Sequence, residues 1–251
     1  MYTEKERNLA NEAALTSSLL GNGLTSLRHA NINNKGLYYQ AFFSLSIGIE
    51  RLMKMIIINE YRYENNGEFP INIDLKKIGH DLNKLSSYIG INFEENSVHN
   101  KILNFLNDFA KYSRYYNIDN ILDKTNNNDP LNDWDNIRED IQKNIKLKKV
   151  NQNKVAIASL LEEISYVNFN EINGEELNSL IELLDKEKNN EQIQKYSVQY
   201  VYEIIRVLVN KIVEMEKQQF IMPILSEFFD IYYSKSMTEP QIRNKKDWTK
   251  K

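Results

Sequence analysis

Three short stretches of this chain hold residue types from which a polar site can be built. The first is Gly48-Ile49-Glu50-Arg51-Leu52-Met53-Lys54, where Glu50 and Lys54 stand one helical turn apart and form an i,i+4 ion pair. On an apolar helix such a pair is either internal to the fold or part of a ligand site, and if buried both charges need partners. The second is Gly79-His80-Asp81-Leu82-Asn83-Lys84-Leu85. Adjacent imidazole and carboxylate groups at a helix start either form a hydrogen-bonded capping pair or serve a ligand. The third is Tyr112-Ser113-Arg114-Tyr115-Tyr116-Asn117, at the end of a helix. Arg114 either caps the last carbonyls of that helix or faces a phosphate. Tyr112, Tyr115 and Tyr116 either stack bases or pack in a core or a dimer.

Other chemistries are excluded or unsupported. With no cysteine there is no disulfide, no thiolate metal site and no cysteine nucleophile. The three histidines, His29, His80 and His99, are far apart in sequence and no HExxH occurs, so no metal site is expected. Gly21-Asn22-Gly23 is not spaced as a phosphate-binding loop, and no G-x-S-x-G marks a hydrolase. No cofactor is expected. A formal net charge of -3 excludes a globally basic nucleic-acid binder but leaves room for a local basic groove.

The order and helical setting of the three stretches resemble the HEPN family of small helical bundles, named for nucleotide binding in prokaryotes and higher eukaryotes. In that family a helix bearing Glu-x-x-x-Lys precedes a His-Asp-Leu-x-x-Leu segment and then a helix ending in Arg-Tyr. Here these are Glu50 and Lys54, His80 to Leu85, and Arg114-Tyr115, and the likeness covers roughly residues 35–125. It implies a bundle of four or five helices that often forms homodimers, working in toxin–antitoxin, antiviral or RNA-processing systems. Many members are metal-independent ribonucleases, in which an Arg stabilises phosphate charge and a His four to six residues later moves the proton of the ribose 2′-hydroxyl. In this chain Arg114 is followed by Tyr115-Tyr116-Asn117-Ile118-Asp119-Asn120, with no histidine in place. The resemblance therefore implies RNA or nucleotide binding, with Arg114, Tyr115, Asn117, Glu50, Lys54 and Asp81 as ligand-binding residues. Arg114 and His80 are the candidate catalytic pair of an altered ribonuclease. His99 lies about 22 Å from Arg114 along an uninterrupted helix, so those two would meet only across a dimer.

The elements that must position these residues read as all-α. Eight glycines and four prolines in 251 residues leave few turns, and alternating strand patterns are almost absent. Helices are expected at 3–20, ended by Gly21 and Gly23; at 37–62, closed by Glu64 to Pro70; and at 74–89, apolar at Leu75, Ile78, Leu82 and Leu85. Ser97 caps a fourth, ending near Arg114, and Asp129-Pro130 opens a fifth running to about Lys148. Others are expected at 154–167, 174–188 and 191–219. Val198, Val201, Ile205, Leu208, Ile212 and Met215 form a heptad seam on the last of these, a candidate face for a protein partner. Pro223 opens a short helix, and the polar tail from Ser234 is expected to be loosely held.

The domain reading is a HEPN-like bundle over 1–125, a connector with one helix over 126–153, and an additional C-terminal helical region over 154–251. The apolar run Leu37 to Ile58 is long enough to span a bilayer, but Glu50, Arg51 and Lys54 inside it cost about 2.5–3.5 kcal/mol each there. No membrane partner is expected, and the charged start MYTEKER reads as cytoplasmic.

Overall fold

The computed structural model describes residues 2–71, 79–122, 128–162, 164, 168–233 and 237–249. Its helices are α1 (Glu4–His29), α2 (Gly36–Glu64), α3 (Leu82–Tyr88), α4 (Val98–Asp108), α5 (Tyr116–Ile121), α6 (Pro130–Lys143), α7 (Gln152–Glu162), α8 (Leu180–Gln218) and α9 (Glu239–Asn244). A π-helical turn, Phe109–Ser113, extends α4, and a 3₁₀ helix, Leu225–Tyr232, precedes α9. The strand content among the described residues is one minimal hairpin, β1 (Phe169–Asn170) against antiparallel β2 (Glu176–Leu177). The chain is an all-α bundle, as its sparse turn residues predict.

Helices α1 and α2 run antiparallel, and glycine sets their separation. A Cβ on Gly23 would stand 2.6 Å from the Leu45 side chain, and one on Gly48 would stand 2.8 Å from that of Leu20. Each leucine thus fills the notch left by the glycine opposite. The expected stop at Gly21 and Gly23 is therefore corrected: α1 continues through both to His29. The helical cost of glycine, about 1 kcal/mol per residue, is offset where the missing side chain admits a neighbour. At its start α1 is fixed by a reciprocal capping box between Thr3 and Glu6.

Helix α2 is buried along most of its length, including Tyr38, Phe42, Leu45, Ile49, Leu52, Met53 and Ile56. Phe42 anchors an aromatic cluster, with ring centroids 4.7 Å from Phe105, 5.4 Å from Phe109 and 5.2 Å from Trp134. This seats α4, the π turn and α6 against one side of α2. The long helix α8, about 58 Å at 1.5 Å per residue, packs on α1, α2, α4 and α6. Buried residues from 1–125, 126–153 and 154–251 join in a single cluster.

The structure revises several expectations. The pair of helices expected at 174–188 and 191–219 is one, because Asn190 in the polar run between them faces inward. Its side-chain oxygen accepts hydrogen bonds from Arg138 Nη2 at 2.7 Å and from the Tyr38 hydroxyl at 3.1 Å. Val198, Val201, Ile205, Leu208 and Ile212 are fully buried, so that seam serves the internal core and offers no face to a protein partner. Residues 174–179, expected as helix, instead hold β2 and the Ser179 cap of α8. The tail is also firmly seated: Ile242 and Trp248 are buried, and the Trp248 ring lies 5.3 Å from Tyr202 and 6.5 Å from Tyr232. The start of the helix expected at 74–89 falls outside the described residues. Its remainder is interrupted, because Gly79 adopts φ +74° and Asp81 caps a new helix. Among the described residues, no helix is long and apolar enough to cross a membrane.

The packing predicts the effect of adding single methyl groups. Gly23→Ala lowers unfolding free energy by about 1–3 kcal/mol through overpacking against Leu45. At Gly36 the nearest atom to an added Cβ is 3.8 Å away, and Gly36→Ala stays within about 0.5 kcal/mol of the parent. Urea denaturation of the two variants checks the contrast.

Candidate functional site

The site is built where α2, the start of α3 and the π turn converge. Glu50 and Lys54 occupy successive turns of α2, and Lys54 Nζ donates to Glu50 Oε1 at 2.7 Å. The same oxygen accepts from His80 Nδ1 at 2.8 Å, with Lys54 Nζ 3.4 Å from that nitrogen. The ion pair expected from spacing is thus present, and His80, distant in sequence, joins it. The turn through Gly79 delivers the imidazole to α2, while 81% of its side chain remains solvent-accessible. His80 accordingly pairs with Glu50, and capping falls to Asp81 alone.

Asp81 Oδ1 accepts from the Lys84 amide at 3.0 Å, satisfying an orphan donor in the first turn of α3. Its other oxygen accepts from Lys111 Nζ at 2.5 Å. Burial opposes ionisation of this carboxyl, but the hydrogen bonds from Lys111 and Lys84 and the Lys111 charge prevail, holding its pKa below the ordinary value. Lys111 is a member of the site that motif matching missed. The available signal was its place three residues before Arg114, one turn earlier along the same helical stretch.

Lys111 belongs to the π turn Phe109–Ser113. Phe109 and Ser113 face the core, whereas Lys111, Tyr112, Arg114 and Tyr115 are outside. Turns of this type break the α-helical phase and recur at functional sites. The Arg114 guanidinium lies 5.0 Å from the centroid of the Tyr115 ring and has no hydrogen-bond or ion-pair partner among the described residues. It does not cap its helix. Tyr115 is 54% exposed, so core packing does not explain it either.

The remaining candidates are placed elsewhere. Asn117 hydrogen-bonds the Tyr39 hydroxyl, whose pKa is nevertheless raised, by burial first and then by the charge of Asp129. His99 is held by Glu203 at 2.7 Å and stacks on Phe93 at 5.7 Å, which commits it to the α4–α8 contact. Glu50, Lys54 and His80 therefore form one cluster, with Asp81 and Lys111 adjoining it. Arg114 and Tyr115 form a second pair one turn beyond Lys111. Among the described residues no group of three or more acidic or histidine side chains is arranged to hold a metal ion. No family model, curated protein or solved structure matches this chain.

The lowered pKa of Asp81 gives a signed prediction. Its stabilising contribution is fully present above the ordinary carboxyl value of 3.8 and is lost as pH falls through the lower folded-state value. Asp81→Asn keeps a good N-cap but removes the pair with Lys111. The substitution costs about 0.2–1 kcal/mol at neutral pH, and the cost vanishes in acid. Unfolding midpoints of parent and variant between about pH 2 and pH 7 should therefore converge at the acid end.

Proposed function

We propose that this chain is a HEPN-like protein that binds RNA or a nucleotide, acting in the cytoplasm as part of a bacterial defence or toxin–antitoxin system. The observation that carries this reading is the Arg114–Tyr115 pair: a guanidinium with no protein partner, laid against an exposed aromatic ring. That is a phosphate contact beside a base-stacking surface. Lys111, one turn earlier, adds a second cation to the same rim, although Asp81 neutralises much of its charge.

The cluster beside it supplies polar contacts of both signs. Lys54 and His80 offer donors, and Glu50 accepts from both. The exposed apolar residues Phe43, Ile47, Ile118 and Ile121 support the homodimer that the family resemblance implies.

A second reading, a metal-independent ribonuclease with an altered site, is favoured by one observation. The exposed His80 imidazole is oriented by Glu50, as a proton-transferring histidine is oriented by a carboxylate.

One assay separates the readings. Total RNA is incubated in EDTA with the parent protein and with Arg114→Ala, at low and at moderate salt. Binding that weakens with salt, falls about tenfold in Arg114→Ala and leaves the RNA intact supports the first reading. Cleavage by the parent that Arg114→Ala abolishes and His80→Ala slows supports the second. Association that Arg114→Ala leaves unchanged removes the site assignment.

A further inference from the structure

A second polar site lies away from these motifs, where the C-terminal end of α1 meets α8 and the segment after α9. A cavity of about 360 Å³ opens there, with Arg28, Gln194, Glu187, Glu191 and Lys246 among its walls. Volumes near this value suit small ligands.

Arg28 is the unusual member. Three arginines are buried among the described residues: Arg28, Arg62 and Arg138. Arg138 has Asp135 at 2.6 Å and Asn190 at 2.7 Å. Arg62 donates to the Met222 carbonyl at 2.5 Å and lies 4.4 Å from the Phe69 ring. Arg28 is 6% exposed, and among the described residues its Nε is buried without a partner and no ion pair or hydrogen bond holds its guanidinium. Burial lowers its pKa and Glu191 opposes that shift, but an arginine keeps its charge. A buried planar fork with five donors is built to receive a carboxylate or phosphate.

A second buried group points to the rest of the ligand. Gln194 is 1% exposed. Its Nε2 donates to the Ala30 carbonyl at 3.0 Å, leaving Oε1 buried and, among the described residues, without a donor. The Asn190 oxygen beside it has no acceptor capacity left, since it already accepts from Arg138 and Tyr38, while one amide N–H of Asn190 donates to Ala30. The acidic wall is already engaged as well: Glu187 accepts from Asn33 at 2.9 Å and Glu191 pairs with Lys195 at 3.3 Å. Glu187 and Glu191 still place negative charge on the same walls as Arg28 and Lys246, so a singly charged or zwitterionic ligand suits the cavity better than a dianion.

We propose that this cavity binds a small carboxylate bearing a neighbouring hydrogen-bond donor, such as an amino acid or a hydroxy acid. The carboxylate sits on the Arg28 fork and the neighbouring N–H or O–H donates to Gln194 Oε1. This assignment is independent of Arg114 and of RNA.

The test is thermal unfolding of the full chain in a zwitterionic buffer. The probes are the standard amino acids and small hydroxy acids, with acetate and inorganic phosphate alongside. At least one amino or hydroxy acid raises the midpoint saturably, as a ligand that binds only the folded state must. Acetate, which leaves Gln194 unmatched, binds about tenfold more weakly. Arg28→Met abolishes the response while the ligand-free protein still unfolds cooperatively, because the substitution removes no hydrogen bond or close ion pair found among the described residues. No saturable shift with any carboxylate, a response to phosphate alone, or an undiminished response in Arg28→Met overturns the proposal.

Discussion

The close approach of α1 and α2 depends on glycine on both sides of the contact. Leu45 occupies the space beside Gly23, and Leu20 the space beside Gly48. Because the two contacts run in opposite directions along the chain, they fix the register of the pair as well as its separation. Two ion pairs follow that register, Glu12 with Arg51 at 2.6 Å and Glu6 with Arg62 at 3.7 Å. Everything else is laid on this pair. The aromatic cluster around Phe42, with Phe105, Phe109 and Trp134, then packs α4, the π turn and α6 against α2.

The polar cluster inherits its position from the same helix. Ile49, Leu52 and Met53 are fully buried, so the intervening Glu50 and Lys54 must lie at the edge of the packed face. Exposed in part, they remain able to meet His80. The π turn then brings Lys111 to Asp81 while Phe109 stays in the aromatic cluster.

Much of this was legible in the sequence because it is local. The Glu50–Lys54 pair follows from one-turn spacing, and the caps at Thr3, Ser97 and Asp129 follow from residue type. What was not legible depends on contacts between distant segments. Gly21 and Gly23 read as a stop because local propensity has no knowledge of Leu45 or Trp248. Asn190 read as part of a break because its partners, Arg138 and Tyr38, come from two other helices. The tail read as loose because its polar residues outnumber Ile242 and Trp248, the two that anchor it. The same holds for the candidate sites: the motif residues are visible in the sequence, but Lys111 and Arg28 carry no motif and stand out only by what does or does not surround them.

The contact between Gly21 and the Trp248 carbonyl, where an added Cβ would stand 2.6 Å from the oxygen, joins segments more than two hundred residues apart. At translation rates of about 5–20 residues per second, on the order of 10–40 s separate the emergence of the two partners. During that interval α1 and α2 can already pair, since their contacts are local. The side of α2 that α8 covers nevertheless stays open to solvent until much later in synthesis. A nascent chain of this protein thus presents a long apolar helix surface for many seconds. Glu50, Arg51 and Lys54 give that surface a charged border before the chain that covers it has been made.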